Sequence, residues 1–117
     1  MGFFNNVKGF NKIQNLLDEV ETAITDVYHE FPTIHRQDSI LRIIDRLNHI
    51  TYLLNQIREM ANSNSLAVQS SKYTFCQRSF TLLELFPAIE GMQYKIVEEL
   101  FQCGVSVGKY GNEWKYC

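Results

Sequence analysis

Residues that break helices are scarce in this chain of 117 residues, which has two prolines and six glycines. Four of those glycines lie after residue 90, so most of the chain is open to long helices. Neither sign of charge predominates, since 11 basic side chains stand against 13 acidic ones. Because the net charge is −2, the basic surface of a nucleic-acid-binding domain is not predicted. No apolar run approaches the ~20 residues of a membrane-spanning helix. We therefore expect neither nucleic acid nor a membrane as a partner.

Cysteine is rare as well, since the chain has only Cys76, Cys103 and Cys117. An odd number, the lack of a secretion signal and the lack of a C-x-x-C pair predict free thiols in a reducing, cytoplasmic compartment. Cys76 and Cys103 lie on apolar faces of predicted helices and are expected in the core. No metal-ligand spacing, glycine-rich phosphate loop or paired nucleophile and base is found. We therefore expect no cofactor, no metal ion and no catalytic residue.

Two heptad repeats dominate what the chain does contain. Steps of three and four residues place each repeat on one face of a helix. Residues 12–31 carry five carboxylates and one lysine, whereas residues 36–59 carry four arginines and three carboxylates. Ion pairs are therefore expected between two antiparallel helices. The repeats are Phe10, Ile13, Leu17, Val20, Ile24, Val27 and Phe31, and then Ile40, Ile43, Leu47, Ile50, Leu54, Ile57 and Ala61.

These patterns predict an all-α fold, in which an antiparallel helical hairpin (about residues 8–30 and 38–60) extends to a four-helix bundle. The third helix is expected over residues 65–86, and Pro87 is expected in the first turn of the fourth. One strand from Tyr73 to Phe80 is the alternative, because tyrosine, threonine and phenylalanine favour strands. Residues 1–104 form the predicted bundle domain, and residues 105–117 a short irregular or hairpin-like C-terminal tail. The expected core contains Leu17, Val20, Ile24, Leu47, Ile50, Leu54, Phe80, Leu83 and Ile96.

The lack of any catalytic signature favours a non-enzymatic protein-binding module, such as an adaptor, a chaperone-like escort, or an inhibitor or immunity-type protein. Its partner would be another, unidentified protein. The long heptad stripes further predict self-association, with a homodimer as the default because two-fold assemblies are the commonest. The residues expected to carry self-association are Leu17, Ile24, Leu47, Ile50, Leu54 and Ile57.

The aromatic tail is the predicted partner-binding surface. Tyrosine and tryptophan are enriched at interface hot spots, and the tail places them among lysines. The alternative is that Trp114 packs back on the helices. The predicted partner-binding residues are Lys109, Tyr110, Trp114, Lys115 and Tyr116.

Two other functions remain as alternatives. The segment from Arg42 to His49 resembles the arginine and histidine motif of the HEPN ribonuclease and antitoxin superfamily. The resemblance covers eight residues, and Ile43 stands where that family usually has a polar residue. It implies a small RNA nuclease or antitoxin that uses Arg42 and His49. The other alternative is a small-ligand sensor, with an aromatic pocket built from Tyr73, Phe75, Phe80, Phe86 and Trp114.

Overall fold

The chain folds as a long helical hairpin against which a third long helix and two β-hairpins pack. The computed structural model describes the backbone of residues 2–63 and 66–117 and the side chains of residues 8–63 and 68–117. Its elements in chain order are α1 (Gly2–Glu30), a 3₁₀ turn (Phe31–Thr33), α2 (Gln37–Ser63), α3 (Leu66–Ser70), β1 (Tyr73–Phe75), β2 (Arg78–Phe80), α4 (Leu82–Gln102), β3 (Val107–Tyr110) and β4 (Glu113–Tyr116).

The predicted helical hairpin of α1 and α2 is confirmed. The 3₁₀ turn that contains Pro32 joins the two helices, and their heptad stripes face inward. Arg42 donates to both carboxylate oxygens of Glu30, at 2.8 and 3.0 Å. Arg46 lies 3.7 Å from the carboxylate of Asp26. The expected charge pairing between the two helices is therefore present.

The predicted third helix over residues 65–86 is wrong. Within that range Leu66–Ser70 forms a helix of five residues, β1 and β2 follow as an antiparallel hairpin, and residues 82–86 already belong to α4. Along β1 the side chains of Tyr73 and Phe75 are buried and that of Thr74 is exposed, which is the alternation of a strand with one packed face. The alternative of one strand from Tyr73 to Phe80 is correct in the type of structure but not in its extent, because a turn at Cys76 and Gln77 divides the segment into two strands.

The predicted start of the last helix at Pro87 is also wrong, because α4 begins at Leu82. Thr81 and Glu84 form a capping box, in which each side chain bonds to the other residue's backbone N–H. Pro87 then lies inside the helix, where it lacks the N–H that would bond to the carbonyl of Leu83. Leu83 itself is 85% exposed and is not part of the core.

The all-α four-helix bundle is therefore wrong as the fold class. In the described part of the chain there are three long helices, one helix of five residues and two two-stranded sheets. One core cluster lies between α1, α2, β1 and the first half of α4. The second lies between the end of α1, the first half of α2, the end of α4 and the C-terminal hairpin. Buried Gln93 of α4 donates to the Leu47 carbonyl and to the Thr51 hydroxyl, both at 2.9 Å, and so joins α4 to α2.

Cys76 and Cys103 are exposed, so their predicted place in the core is wrong. Cys103 is the C-cap of α4. Cys76 and Gln77 form the turn between β1 and β2, with φ of 51° and 67°. Both residues thus adopt the left-handed conformation that a two-residue hairpin turn requires. Neither is a glycine or an asparagine, the residue types that signal such a turn in a sequence.

Candidate partner-binding surface

The C-terminal hairpin is attached to α2 by the side chain of Asn48. The Asn48 amide donates to the Trp114 carbonyl at 3.0 Å, and the Trp114 N–H donates to the Asn48 side-chain oxygen at 2.6 Å. A neighbouring strand would supply this same pair of bonds. Asn48 therefore satisfies the outward backbone groups of Trp114 and holds the hairpin against the helices.

Gln14 of α1 does the same for the first hairpin. Its amide donates to the Thr74 carbonyl at 2.8 Å, and its side-chain oxygen accepts the Thr74 N–H at 2.9 Å. The carboxylate of Glu21 accepts the N–H of Cys76 at 2.8 Å. No sequence signal indicates these pairs, because their partners are 55 to 60 positions apart.

Trp114 is buried beneath the C-terminal hairpin, with 2% of its surface exposed. Its ring meets that of Tyr94 edge to face, with 5.2 Å between the centroids. The Lys109 ammonium lies 5.4 Å from the Trp114 ring centroid and 5.9 Å from that of Tyr94, within the range of cation–π attraction. The indole N–H of Trp114 is buried without a hydrogen-bond partner among the described residues.

A groove of about 430 Å³ runs between α4 and β3, on the outer side of this cluster. Two aromatic side chains flank it: Tyr94 is 55% exposed and Phe101 is 66% exposed. Exposed aromatic surface beside half-buried aliphatic side chains is typical of an interaction site. We call it the aromatic groove, and it is lined by Tyr94, Val97, Glu98, Phe101, Ser106 and Val107.

The structure divides the predicted partner-binding residues between the two faces of the C-terminal hairpin. Lys109 is opposite Trp114 in the strand register, and with Tyr116 it shares the face that Trp114 occupies, because side chains alternate along a strand. Tyr110 and Lys115 belong to the other face. Only Trp114 among the five is buried, and the five therefore do not form one continuous surface.

Sequence reasoning missed the aromatic groove. Tyr94, Val97 and Phe101 follow one another at steps of three and four residues, which is a second apolar stripe on α4. This signal was present, but the stripe that runs through Ile89, Ile96 and Leu100 met the same criterion and is the one that is buried.

The residues predicted to mediate self-association lie in the interior of this single chain. Ile24 is half-buried, and the other five are buried in the two core clusters. Association through them would require the core to open. Self-association through these residues stays a prediction, and the six are Leu17, Ile24, Leu47, Ile50, Leu54 and Ile57.

The residues of the two alternative functions are also placed. Arg42 is engaged by Glu30, whose pKa is lowered mainly by the hydrogen bonds from Arg42. His49 lies seven residues further along α2, about 10 Å along the axis, and lines a separate groove of about 240 Å³ with acidic residues of α1. The five aromatics of the predicted ligand pocket are divided between the core clusters, with Trp114 in the second cluster and the other four in or against the first.

Comparisons with protein-family models, with curated proteins and with solved structures find no match to this chain. Within the described residues, no helix has both the length and the apolar composition that crossing a bilayer requires. The same part of the chain holds no group of three or more His, Cys, Asp or Glu side chains that could bind a metal ion.

Proposed function

We propose that this chain is a non-enzymatic protein-binding module that captures its partner at the aromatic groove. The observation that carries the proposal is the pair of exposed rings on α4. Tyr94 and Phe101 are seven residues apart, on the same side of the helix, and leave more than half of their surfaces uncovered. Burying two such rings against a partner removes a large apolar area from water, the main source of affinity in protein interfaces.

The rigid base beneath the groove also supports this proposal. Asn48 and the buried Trp114 hold the C-terminal hairpin to α2, while Tyr94 contacts the Trp114 ring from α4. The two walls of the groove are therefore ordered before a partner arrives. A surface that is ordered in advance loses less conformational entropy on binding, and more of the contact energy becomes affinity.

The test is affinity capture from extracts of cells that express the chain. Wild-type protein is compared with Phe101→Asp, which places a charge in the groove, and with Leu83→Asp as the matched control. Leu83 is an exposed apolar residue of the same helix, about 27 Å from Phe101 along the axis. We expect at least one protein that the wild type and Leu83→Asp retain equally and that Phe101→Asp loses by about tenfold or more.

That protein is then purified, and its affinity for the three variants is measured by calorimetry. Circular dichroism and the emission of Trp114 show that each variant is folded. If no captured protein distinguishes Phe101→Asp from Leu83→Asp, the aromatic groove is not the binding surface and the proposal fails.

A further inference from the structure

The outer edge of β3 carries backbone groups that β4 does not use. The Cys117 N–H donates to the Ser106 carbonyl at 2.9 Å, so this opposed pair is a hydrogen-bonded one. Opposed pairs in an antiparallel ladder alternate between bonded and non-bonded. In the observed register, Gly108–Lys115 and Tyr110–Glu113 are therefore hydrogen-bonded pairs. Val107–Tyr116 and Lys109–Trp114 are the non-bonded pairs between them. Val107 and Lys109 therefore direct their N–H and C=O groups away from β4.

The corresponding groups on β4 are those of Trp114 and Tyr116, and Asn48 satisfies both groups of Trp114. No comparable side chain among the described residues bonds to the backbone of Val107 or Lys109. The two edges of this hairpin thus differ: the Asn48 amide bonds to the β4 edge at Trp114, whereas Val107 and Lys109 of the β3 edge have no side-chain partner within the described residues. An unpaired strand edge is a template for another extended chain.

The aromatic groove lies directly beside this open edge. A strand added to β3 would run about 4.8 Å from it, over the exposed side of α4 that carries Tyr94 and Phe101. Every second side chain of such a strand would point into the groove. The other side chains would point to the outer face of the sheet, so the groove would contact only alternate residues of its ligand.

The charge of Lys109 indicates which residue a ligand carries beside its apolar positions. The Lys109 ammonium lies over the rings at the Tyr94 end of the groove, and no carboxylate within the described chain pairs with it. An acidic side chain of a ligand could therefore reach Lys109 over the aromatic surface, where the pair would be partly shielded from water.

From these observations, we infer that the aromatic groove takes an extended peptide segment of the partner as a third strand on β3. The segment has aliphatic or aromatic residues at alternate positions and an acidic residue opposite Lys109. This inference rests on the proposed function, since it names the chemical class of partner that the same surface binds. Recognition then combines backbone pairing, which is tolerant of sequence, with side-chain pockets that select it.

The experiment begins with random linear peptides displayed on phage. They are selected on the wild type and counter-selected on Phe101→Asp, and the strongest binder is synthesised for affinity measurements. We expect apolar residues two positions apart together with aspartate or glutamate. Lys109→Glu should weaken this peptide about tenfold, and exchanging the peptide's acidic residue for lysine should restore binding to that variant.

Backbone pairing is tested by N-methylating each peptide amide in turn. Only every second amide of an added strand faces β3, so methylation should weaken binding about three- to tenfold at alternate positions and little between them. On the protein, Val107→Pro removes an outward N–H without removing a ladder bond and should cost a similar factor. Trp114 emission checks that the hairpin of this variant is docked. If the hairpin of Val107→Pro is not docked, the methylation series alone tests backbone pairing.

A methylation pattern without the two-residue period, in a peptide that still depends on Phe101, would overturn strand addition and leave the proposed function standing. Failure to select any Phe101-dependent peptide, while affinity capture still finds a Phe101-dependent protein, would have the same meaning. If neither experiment depends on Phe101, the proposed function fails as well. If the wild type is a dimer that Val107→Pro and Phe101→Asp both convert to a monomer, a second copy occupies the edge and the inference is overturned.

Discussion

Replacing Asn48 by leucine should weaken the docking of the C-terminal hairpin on α2 and thereby lower the stability of the whole chain. Leucine has nearly the shape of asparagine but neither donates to nor accepts from the Trp114 backbone, so both bonds of 3.0 and 2.6 Å are lost. Each such bond contributes about 1 kcal/mol net. We therefore expect the free energy of unfolding to fall by about 2 kcal/mol. For 117 residues, an unfolding entropy of about 2 cal/mol/K per residue converts this loss into about 8 °C in Tm.

The assay uses the fact that Trp114 is the only tryptophan in the chain. Its emission therefore reports on the docking of the C-terminal hairpin, whereas circular dichroism at helical wavelengths follows α1, α2 and α4. In Asn48→Leu we expect the tryptophan transition to occur below the helical transition. This experiment also tests the predicted division of the chain into residues 1–104 and 105–117.

Two matched controls separate the mechanism from a general loss of stability. Asn55→Leu makes the same exchange at an exposed site on α2 and corrects for the higher helix propensity of leucine. Gln14→Leu removes the side-chain amide that bonds to Thr74 of β1. This variant should have a lower Tm, with the tryptophan and helical transitions still at the same temperature. The reasoning is refuted if Asn48→Leu matches Asn55→Leu in Tm and in Trp114 emission.

Gln77→Gly should raise Tm by about 2–4 °C in a thermal melt, because glycine relieves the left-handed φ of 67° at a smaller entropic cost, and a lower Tm would contradict this. Burial raises the pKa of Tyr73 to about 12, above the ~10 of an unfolded chain. The stability that this group contributes is therefore complete below pH ~10 and is lost as the pH rises through about 12. Urea midpoints against pH should show this alkaline loss reduced in Tyr73→Phe, which also lacks the bond to the Val68 carbonyl. Arg42→Gln should raise the pKa of Glu30 toward its ordinary value in a carboxyl NMR titration, since hydrogen bonds from Arg42 hold this pKa low. The stability that the pair contributes is present above pH 4.5 and is lost as the pH falls below it. An unchanged Glu30 titration in the variant would refute the assignment.

Some features of the fold could be read from local signals, and one such signal was outweighed by another. Thr81 and Glu84 have the spacing of a capping box, which places the start of α4 at Leu82. Pro87 is the competing signal and predicts a later start, because proline is common in the first helical turn. Pro87 lies inside the helix at an exposed position, where the Leu83 carbonyl that has no N–H partner can bond to water.

The sequence by itself determined the helical hairpin, since the spacing of apolar residues in α1 and α2 is a local property that requires no knowledge of the rest of the chain. Only the tertiary structure decided the remainder. Gln14 and Asn48 satisfy strand edges 60 and 66 positions away, so two segments with ambiguous local preferences become hairpins. The position of α2 and of the C-terminal hairpin buries one apolar stripe of α4 and leaves the stripe of Tyr94 and Phe101 exposed, because a helix with two apolar faces can bury only the face that its neighbours cover.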